Sequence, residues 1–149
     1  MISKKKLLTI SIVVFIIIIC IVLLIFRNFI IVNTDYKIFK ETYDVYQLKG
    51  FKRFTPQKND VHKGRMLAEK FLSNKKEIRN LSDYNTQYFG YIDQSGNKIV
   101  WANYICKNSP GIDWQHDLFI VLDGGNCFFN FKINLNTGII YDYHVNGEG

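Results

Sequence analysis

The sequence has only two prolines and three cysteines, and it contains no internal repeat and no low-complexity tract other than one apolar run. Its aromatic fraction is 15%. Because such a chain can bury enough apolar surface to offset the entropy lost on ordering, the composition excludes a disordered protein. Residues 28–149, which follow the apolar run, suffice for one small domain with a single core.

The apolar run, Leu7 to Phe26, lacks charge, glycine and proline. As a helix at about 1.5 Å per residue it has a length of roughly 30 Å, the thickness of a bilayer's hydrocarbon core. The sequence therefore predicts a transmembrane helix over residues 7–26, preceded by a short cytoplasmic tail over residues 1–6.

Alanine is missing before Ala68, so the run has no cleavage site of the secretory type. A lipid-modified Cys20 is also disfavoured, because large aliphatic residues surround it. Three lysines, Lys4 to Lys6, precede the run and Arg27 follows it. This bias favours a single-pass protein of the cell membrane with a cytoplasmic N-terminus and an extracytoplasmic domain, although the small difference leaves the reverse orientation open.

Positive charge is concentrated in one part of the domain. Residues 37–79 contain twelve Lys/Arg against five Asp/Glu, and residues 80–149 contain three against seven. The basic part is either a solvated helix face or a surface that binds anionic lipid. No nucleic-acid-binding motif accompanies the charge, so we expect no nucleic-acid partner.

The sequence of the domain predicts an α+β fold. A juxtamembrane arm over residues 27–59 precedes an amphipathic helix, Val61 to about Arg79, capped by Asn59 or Asp60. Five runs with strand character follow: residues 87–92, 99–107, 117–122, 127–135 and 139–145. The turn residues Asp93 to Asn97, Gly124-Gly125 and Asn136 to Gly138 suggest hairpins, with a longer loop over residues 108–115.

The hairpin at Gly124-Gly125 fixes a testable register. It places Leu118, Ile120 and Leu122 on one apolar face, opposite Phe131, Phe129 and Cys127. On the other face, Asp117 lies opposite Lys132, and the next turn, Asn136 to Gly138, places Lys132 opposite Asp142.

One helix followed by a four- to five-stranded antiparallel meander resembles the cystatin-like roll, over about residues 60–145. The chain lacks the Gln-Xaa-Val-Xaa-Gly motif of cystatin inhibitors, so protease inhibition is not implied. Trp114, the run Asp123 to Phe129 and Asn146-Gly147 resemble a group of small bacterial single-pass membrane proteins with such a domain. That resemblance implies a shared fold and no activity.

Cysteine and histidine do not predict a catalytic or metal site. The predicted strand over residues 117–122 lies between the strands that carry Cys106 and Cys127. It separates the two cysteines by about 9–10 Å at the usual strand spacing, so we expect no disulfide. The spacing of His62, His116 and His144 with the nearby aspartates matches no metal site or catalytic triad. We therefore expect no catalytic residue, no metal and no cofactor.

The remaining candidate is a contact surface on the outer sheet face, unless the arm covers it. Its predicted apolar centre is Phe119, Val121 and Phe128, and its polar border is Asp117, Lys132 and Asp142. We expect a binding or structural module that contacts a partner protein or a second copy. The alternatives are a small hydrolase or metal-dependent enzyme using His116, Asp117 and Asp123, and lipid-surface binding through the basic segment.

Overall fold

The structure, a computed structural model, describes residues 13–23 and 35–147 of the 149-residue chain. The chain divides into two compact units, Met1–Thr34 and Asp35–Gly149. In the first unit, residues 13–23 form helix α1, and all of its side chains are exposed.

The predicted transmembrane helix over Leu7 to Phe26 requires correction. Within the described residues, no helix has both the length and the apolar character needed to cross a membrane. The findings therefore do not support a single-pass membrane protein with an extracytoplasmic domain. Residues 7–12 and 24–26 of the predicted span lie outside the described part of the chain.

The second unit is built on a mixed six-stranded sheet. Its strands are β1 (Tyr36–Ile38), β2 (Lys52–Phe54), β3 (Tyr84–Ile92), β4 (Lys98–Cys106), β5 (Phe128–Asn134) and β6 (Ile140–Val145). The strand order is β1-β3-β4-β5-β6, and β2 also pairs with β3. Strands β1 and β2 lie end to end along the edge of β3 that β4 leaves free, β1 parallel and β2 antiparallel to it.

The prediction of a cystatin-like antiparallel meander is therefore wrong in two respects. The arm, for which the sequence predicts no strand, contributes two strands, and one of them makes the sheet mixed. The predicted strand over residues 117–122 does not form. Strand β4 pairs directly with β5 instead, with Ala102 opposite Phe131 and Ile105 opposite Phe128. Gly124-Gly125 consequently joins no hairpin, and the register derived from it, including Asp117 opposite Lys132, is wrong.

The predicted helix is present with different ends. Helix α2 covers Lys58–Leu72 and begins with a capping box, in which the Gln57 amide donates to the Asp60 carboxylate at 2.9 Å. It ends at Leu72 because Ser73 and Asn74, both weak helix formers, start a turn. Val61, Ala68 and Leu72 are buried, as the apolar periodicity predicts.

The sheet carries a separate apolar cluster on each face. Helix α2 covers one face, where the buried side chains include Tyr88, Tyr104 and Phe131. At Gly64 the helix backbone comes so close that an added Cβ would lie 3.1 Å from Ile133 Cδ1. The arm covers part of the other face, where Phe39, Val45, Leu48, Phe89, Tyr91, Ile99 and Trp101 form the second cluster.

The hairpin between β5 and β6 confirms the expected turn. Gly138 adopts a left-handed φ of 75°, and its amide donates to Asn134 O at 2.8 Å. His144 lies opposite Asn130, also as expected. A bulge then shifts the pairing between Asn130 and Lys132, and Asp142 adopts a φ of 50° there. Lys132 consequently lies opposite Tyr141, so the prediction that it lies opposite Asp142 is wrong.

A disulfide joins Cys106 to Cys127, so the prediction of two unpaired cysteines is wrong. That prediction assumed a strand between β4 and β5. Because the two strands are neighbours, the two Cα atoms lie 4.8 Å apart, within the range a disulfide spans.

Phe131→Ala should lower the free energy of unfolding by about 3–5 kcal/mol, because the fully buried ring would leave a cavity. Lys132→Ala, the neighbouring position on the opposite face, should cost less than about 1 kcal/mol because it removes an exposed ion pair. Urea denaturation monitored by tyrosine and tryptophan fluorescence measures both. Equal losses of unfolding free energy would contradict the observation that Phe131 points into the core and Lys132 to the opposite face of β5.

Reduction of the disulfide should destabilise the second unit by about 3 kcal/mol, since the bond closes a loop with a sequence separation of 21. The measurement is the urea midpoint with and without dithiothreitol. The double variant Cys106→Ser/Cys127→Ser serves as control. Its urea midpoint should match that of the reduced protein and should not change when dithiothreitol is added. An unchanged midpoint on reduction of the unmodified protein would contradict the bond.

Candidate functional site

The connection between β4 and β5, residues 107–127, crosses the outer face of the sheet, and we call it the β4–β5 loop. Two amide side chains lie beneath it. Gln87 on β3 and Asn103 on β4 are opposite each other in the sheet, and they are 0% and 6% exposed. Burial of a primary amide is unfavourable unless its donors and acceptor are bonded, so these residues must find partners in the loop.

Gln87 bonds the loop at three places. Its Nε2 donates to the carbonyl oxygens of Trp114 at 2.7 Å and Asp117 at 2.6 Å. Its Oε1 accepts from the Phe119 amide at 3.2 Å and from Asn103 Nδ2 at 3.0 Å. The second hydrogen of Asn103 Nδ2 goes to Phe119 O at 2.7 Å. The backbone of residues 114–119 therefore satisfies the amides that the sheet buries.

A third amide holds the later part of the loop. Asn146, which is 9% exposed, follows β6 and donates from Nδ2 to Val121 O at 2.6 Å and to Asp123 O at 3.0 Å. These two carbonyls are on either side of Leu122. Asn146 thus holds the backbone at the residues before and after Leu122.

The side chains on this backbone contradict the sequence prediction. Ile120 and Leu122 were expected in the core, yet they are 47% and 93% exposed. The apolar alternation of residues 118–122 predicts a strand with one buried face. Here, side-chain amides of the sheet bond this backbone in place of a neighbouring strand. The apolar alternation therefore does not predict which of these side chains are buried.

The six predicted contact residues fall into separate groups. The rings of Phe119 and Phe128 are in contact, with centroids 6.0 Å apart, and both residues are half-buried. Val121 is half-buried nearby in the same loop. Lys132 Nζ and Asp142 Oδ2 form the expected ion pair at 2.8 Å.

Asp117 does not join that ion pair. Lys132 lies opposite Trp101 on β4 and Tyr141 on β6, and no loop residue pairs with it in the sheet. Asp117 instead bonds through its backbone carbonyl to Gln87, and its side chain is exposed. The predicted polar border is therefore two features: an ion pair on the sheet and a carboxylate on the loop.

The arm covers a different area from the predicted apolar centre. Its described part packs on Phe89, Tyr91 and Trp101, and residues 27–34 lie outside the described range. Tyr43 connects arm and loop, because its hydroxyl accepts from the Leu118 amide at 2.9 Å.

Two groups under the arm are held away from water. Burial lowers the pKa of Arg53, whose guanidinium donates to Gly90 O at 2.9 Å and Tyr43 O at 3.3 Å. Burial likewise raises the pKa of Tyr91, whose hydroxyl lies 3.4 Å from that of Tyr141. The hydrogen bond from Arg53 to Gly90 attaches the arm to the sheet, whereas the Tyr91 hydroxyl lies against Tyr141 on β6.

Two titratable residues of the loop, His116 and Asp113, form an exposed surface pair. His116 Nδ1 and Asp113 Oδ1 are 2.8 Å apart, and their side chains are 72% and 62% exposed. The hydrogen bond from His116 holds the pKa of Asp113 below its ordinary value. In the part of the chain that the structure describes, no three His, Cys, Asp or Glu side chains form a group that could hold a metal ion.

Gln87→Ala should lower the free energy of unfolding by roughly 3 kcal/mol, because it removes three hydrogen bonds to the loop and leaves one donor hydrogen of Asn103 without its partner. Amide hydrogen exchange in residues 114–119 should also become faster. Asn85→Ala is the control, since Asn85 is a half-buried amide on the same strand and should cost under about 1 kcal/mol. The same exchange rates in both variants would show that Gln87 does not hold the loop.

The site is thus a loop whose backbone is bonded at six carbonyl or amide groups by Gln87, Asn103 and Asn146, and whose exposed side chains include two large aliphatic ones. The opposite face of the sheet carries helix α2 and its basic residues. No protein-family model, no curated protein and no solved structure matches this chain.

Proposed function

We propose that this protein is a binding module that engages a partner protein through the β4–β5 loop, with Leu122 and Ile120 as its apolar anchors. The observation that carries the proposal is the position of Leu122. Its side chain is 93% exposed, while the carbonyls before and after it are both bonded to Asn146. An aliphatic side chain on a fixed backbone is a typical anchor for a complementary pocket.

The energetics favour a contact role over a structural one. Leu122 contributes little to the core of this unit, because nearly all of its surface faces solvent. Full burial of one leucine or isoleucine in a partner is worth about 1.5–3 kcal/mol. The loop is already ordered by the amides, so binding costs less conformational entropy than it would for a free loop.

The surroundings of the anchors indicate the chemistry of the partner. The rings of Phe119 and Phe128, together with Val121, form a half-buried apolar base within and beside the loop. Asp117 and Asp123 flank the anchors in sequence and are exposed. The partner surface that complements this arrangement is an apolar pocket with basic residues at its rim.

The test is affinity isolation of the full chain from its own cells, with the double variant Ile120→Ser/Leu122→Ser. The matched control is Met66→Ser/Ile139→Ser, which alters two side chains of similar exposure, 59% and 60%, outside the loop. A partner of the loop should be retained by the unmodified protein and the control, and lost from the loop variant. With that partner purified, the loop variant should raise Kd at least about tenfold, as expected for anchor residues.

Both variants should keep the urea midpoint of the unmodified protein, because they alter exposed side chains. If every protein retained by the unmodified chain is retained equally by the loop variant, the β4–β5 loop is not the binding surface. A loop variant that unfolds would show instead that Ile120 and Leu122 have a structural role, and would also contradict the proposal.

A further inference from the structure

A groove of about 620 Å³ lies between the end of helix α2 and the turn that leads to β3. It shares no residue with the β4–β5 loop. Its lining residues are Arg65, Glu69, Leu72, Ser73, Lys75, Lys76, Ile78, Arg79, Asn80, Leu81 and Ser82. Apolar side chains of this set, Leu72, Ile78 and Leu81, also pack against the core.

The groove has an excess of positive charge. Four cations line it against one carboxylate, that of Glu69, which lies 3.5 Å from Arg65 Nε. Lys75 Nζ lies over the rings of Phe71 and Tyr143, 5.4 Å and 5.1 Å from their centroids. Among the described residues, Lys75, Lys76 and Arg79 form no ion pair with a carboxylate.

The backbone of the groove is held in place by hydrogen bonds. The Arg79 amide donates to the Tyr84 hydroxyl at 3.3 Å, and that hydroxyl donates to Asn126 O at 2.9 Å. Asn80 Oδ1 accepts from the Ser82 amide at 3.0 Å and from the Ser82 hydroxyl at 2.9 Å. The cationic side chains supply donors for a ligand on this fixed backbone.

Compensation of the helix dipole explains only part of this charge. Cations near a helix C-terminus are stabilising within the last turn. Lys70 occupies that turn of α2, which ends at Leu72. Arg79 is seven positions beyond the end of the helix, where the dipole has no comparable effect.

We infer that this groove binds a phosphate-bearing anion, as a small molecule or as a lipid headgroup. Arginine forms two parallel hydrogen bonds with phosphate, and lysine supplies point charges around it. Arg79 and Arg65 would bond the phosphate oxygens, with Lys75 and Lys76 at the sides. This site is independent of the proposed function, since it uses a different surface and a different ligand class.

The test uses the full chain and two probes: inorganic pyrophosphate, measured by titration calorimetry, and vesicles of phosphatidylglycerol or phosphatidylcholine, measured by co-sedimentation. The groove variant is Lys76→Gln/Arg79→Gln. The control is Lys40→Gln/Lys58→Gln, which changes two exposed lysines elsewhere. Each double variant lowers the net charge from +6 by two, to +4, so the comparison separates site binding from overall charge.

The groove variant should weaken binding at least about tenfold, and the control less than about threefold. This difference with pyrophosphate supports a free phosphate ligand; the same difference only with phosphatidylglycerol vesicles supports a headgroup. Both variants keep the N-terminal helix, so any contribution from that helix cancels. Equal weakening in the two variants would show an effect of net charge, and absence of binding to either probe would leave no anion site; both results overturn the proposal.

Discussion

The buried amide pair of Gln87 and Asn103 is the constraint on which the outer half of this domain depends. Each donates both of its amide hydrogens, three to loop carbonyls and one to the other amide. An unbonded buried amide is costly, so the loop cannot leave the sheet without exposing these groups or leaving them unpaired. The conformation of the loop is therefore coupled to the stability of β3 and β4.

The pairing of β4 with β5 makes this arrangement possible. Because the two strands are neighbours, the connection between them leaves the plane of the sheet and crosses its outer face. The disulfide between Cys106 and Cys127 joins the two ends of the crossing at the base of the loop. Asn146 then bonds the returning part. A chain of 21 positions is thus attached at its ends by a covalent bond and along its length by three amides.

The two faces of the sheet are covered in different ways. Under α2, large apolar side chains fill the space between helix and sheet, and Gly64 allows close approach. On the outer face, the arm supplies a second apolar cluster, and polar bonds hold the loop beside it. The proposed partner contact and the proposed anion groove lie on these different surfaces. This separation follows the charge division, in which residues 37–79 are basic and residues 80–149 acidic.

The sequence by itself determined helix α2, four of the six strands and the glycine turn at Gly138, because each depends on local periodicity or on a backbone angle that few residues adopt. The transmembrane prediction is contradicted, because no helix among the described residues has the length and apolar character needed to cross a membrane. Short strands β1 and β2 had no pattern of their own, because three residues carry no readable period. Only the tertiary structure decided that residues 117–122 do not form a strand. Their apolar alternation fits a strand, but β5 already pairs with the edge of β4 where that strand would lie. Buried amides distant in sequence satisfied their backbone instead, and so turned the expected core residues Ile120 and Leu122 toward solvent.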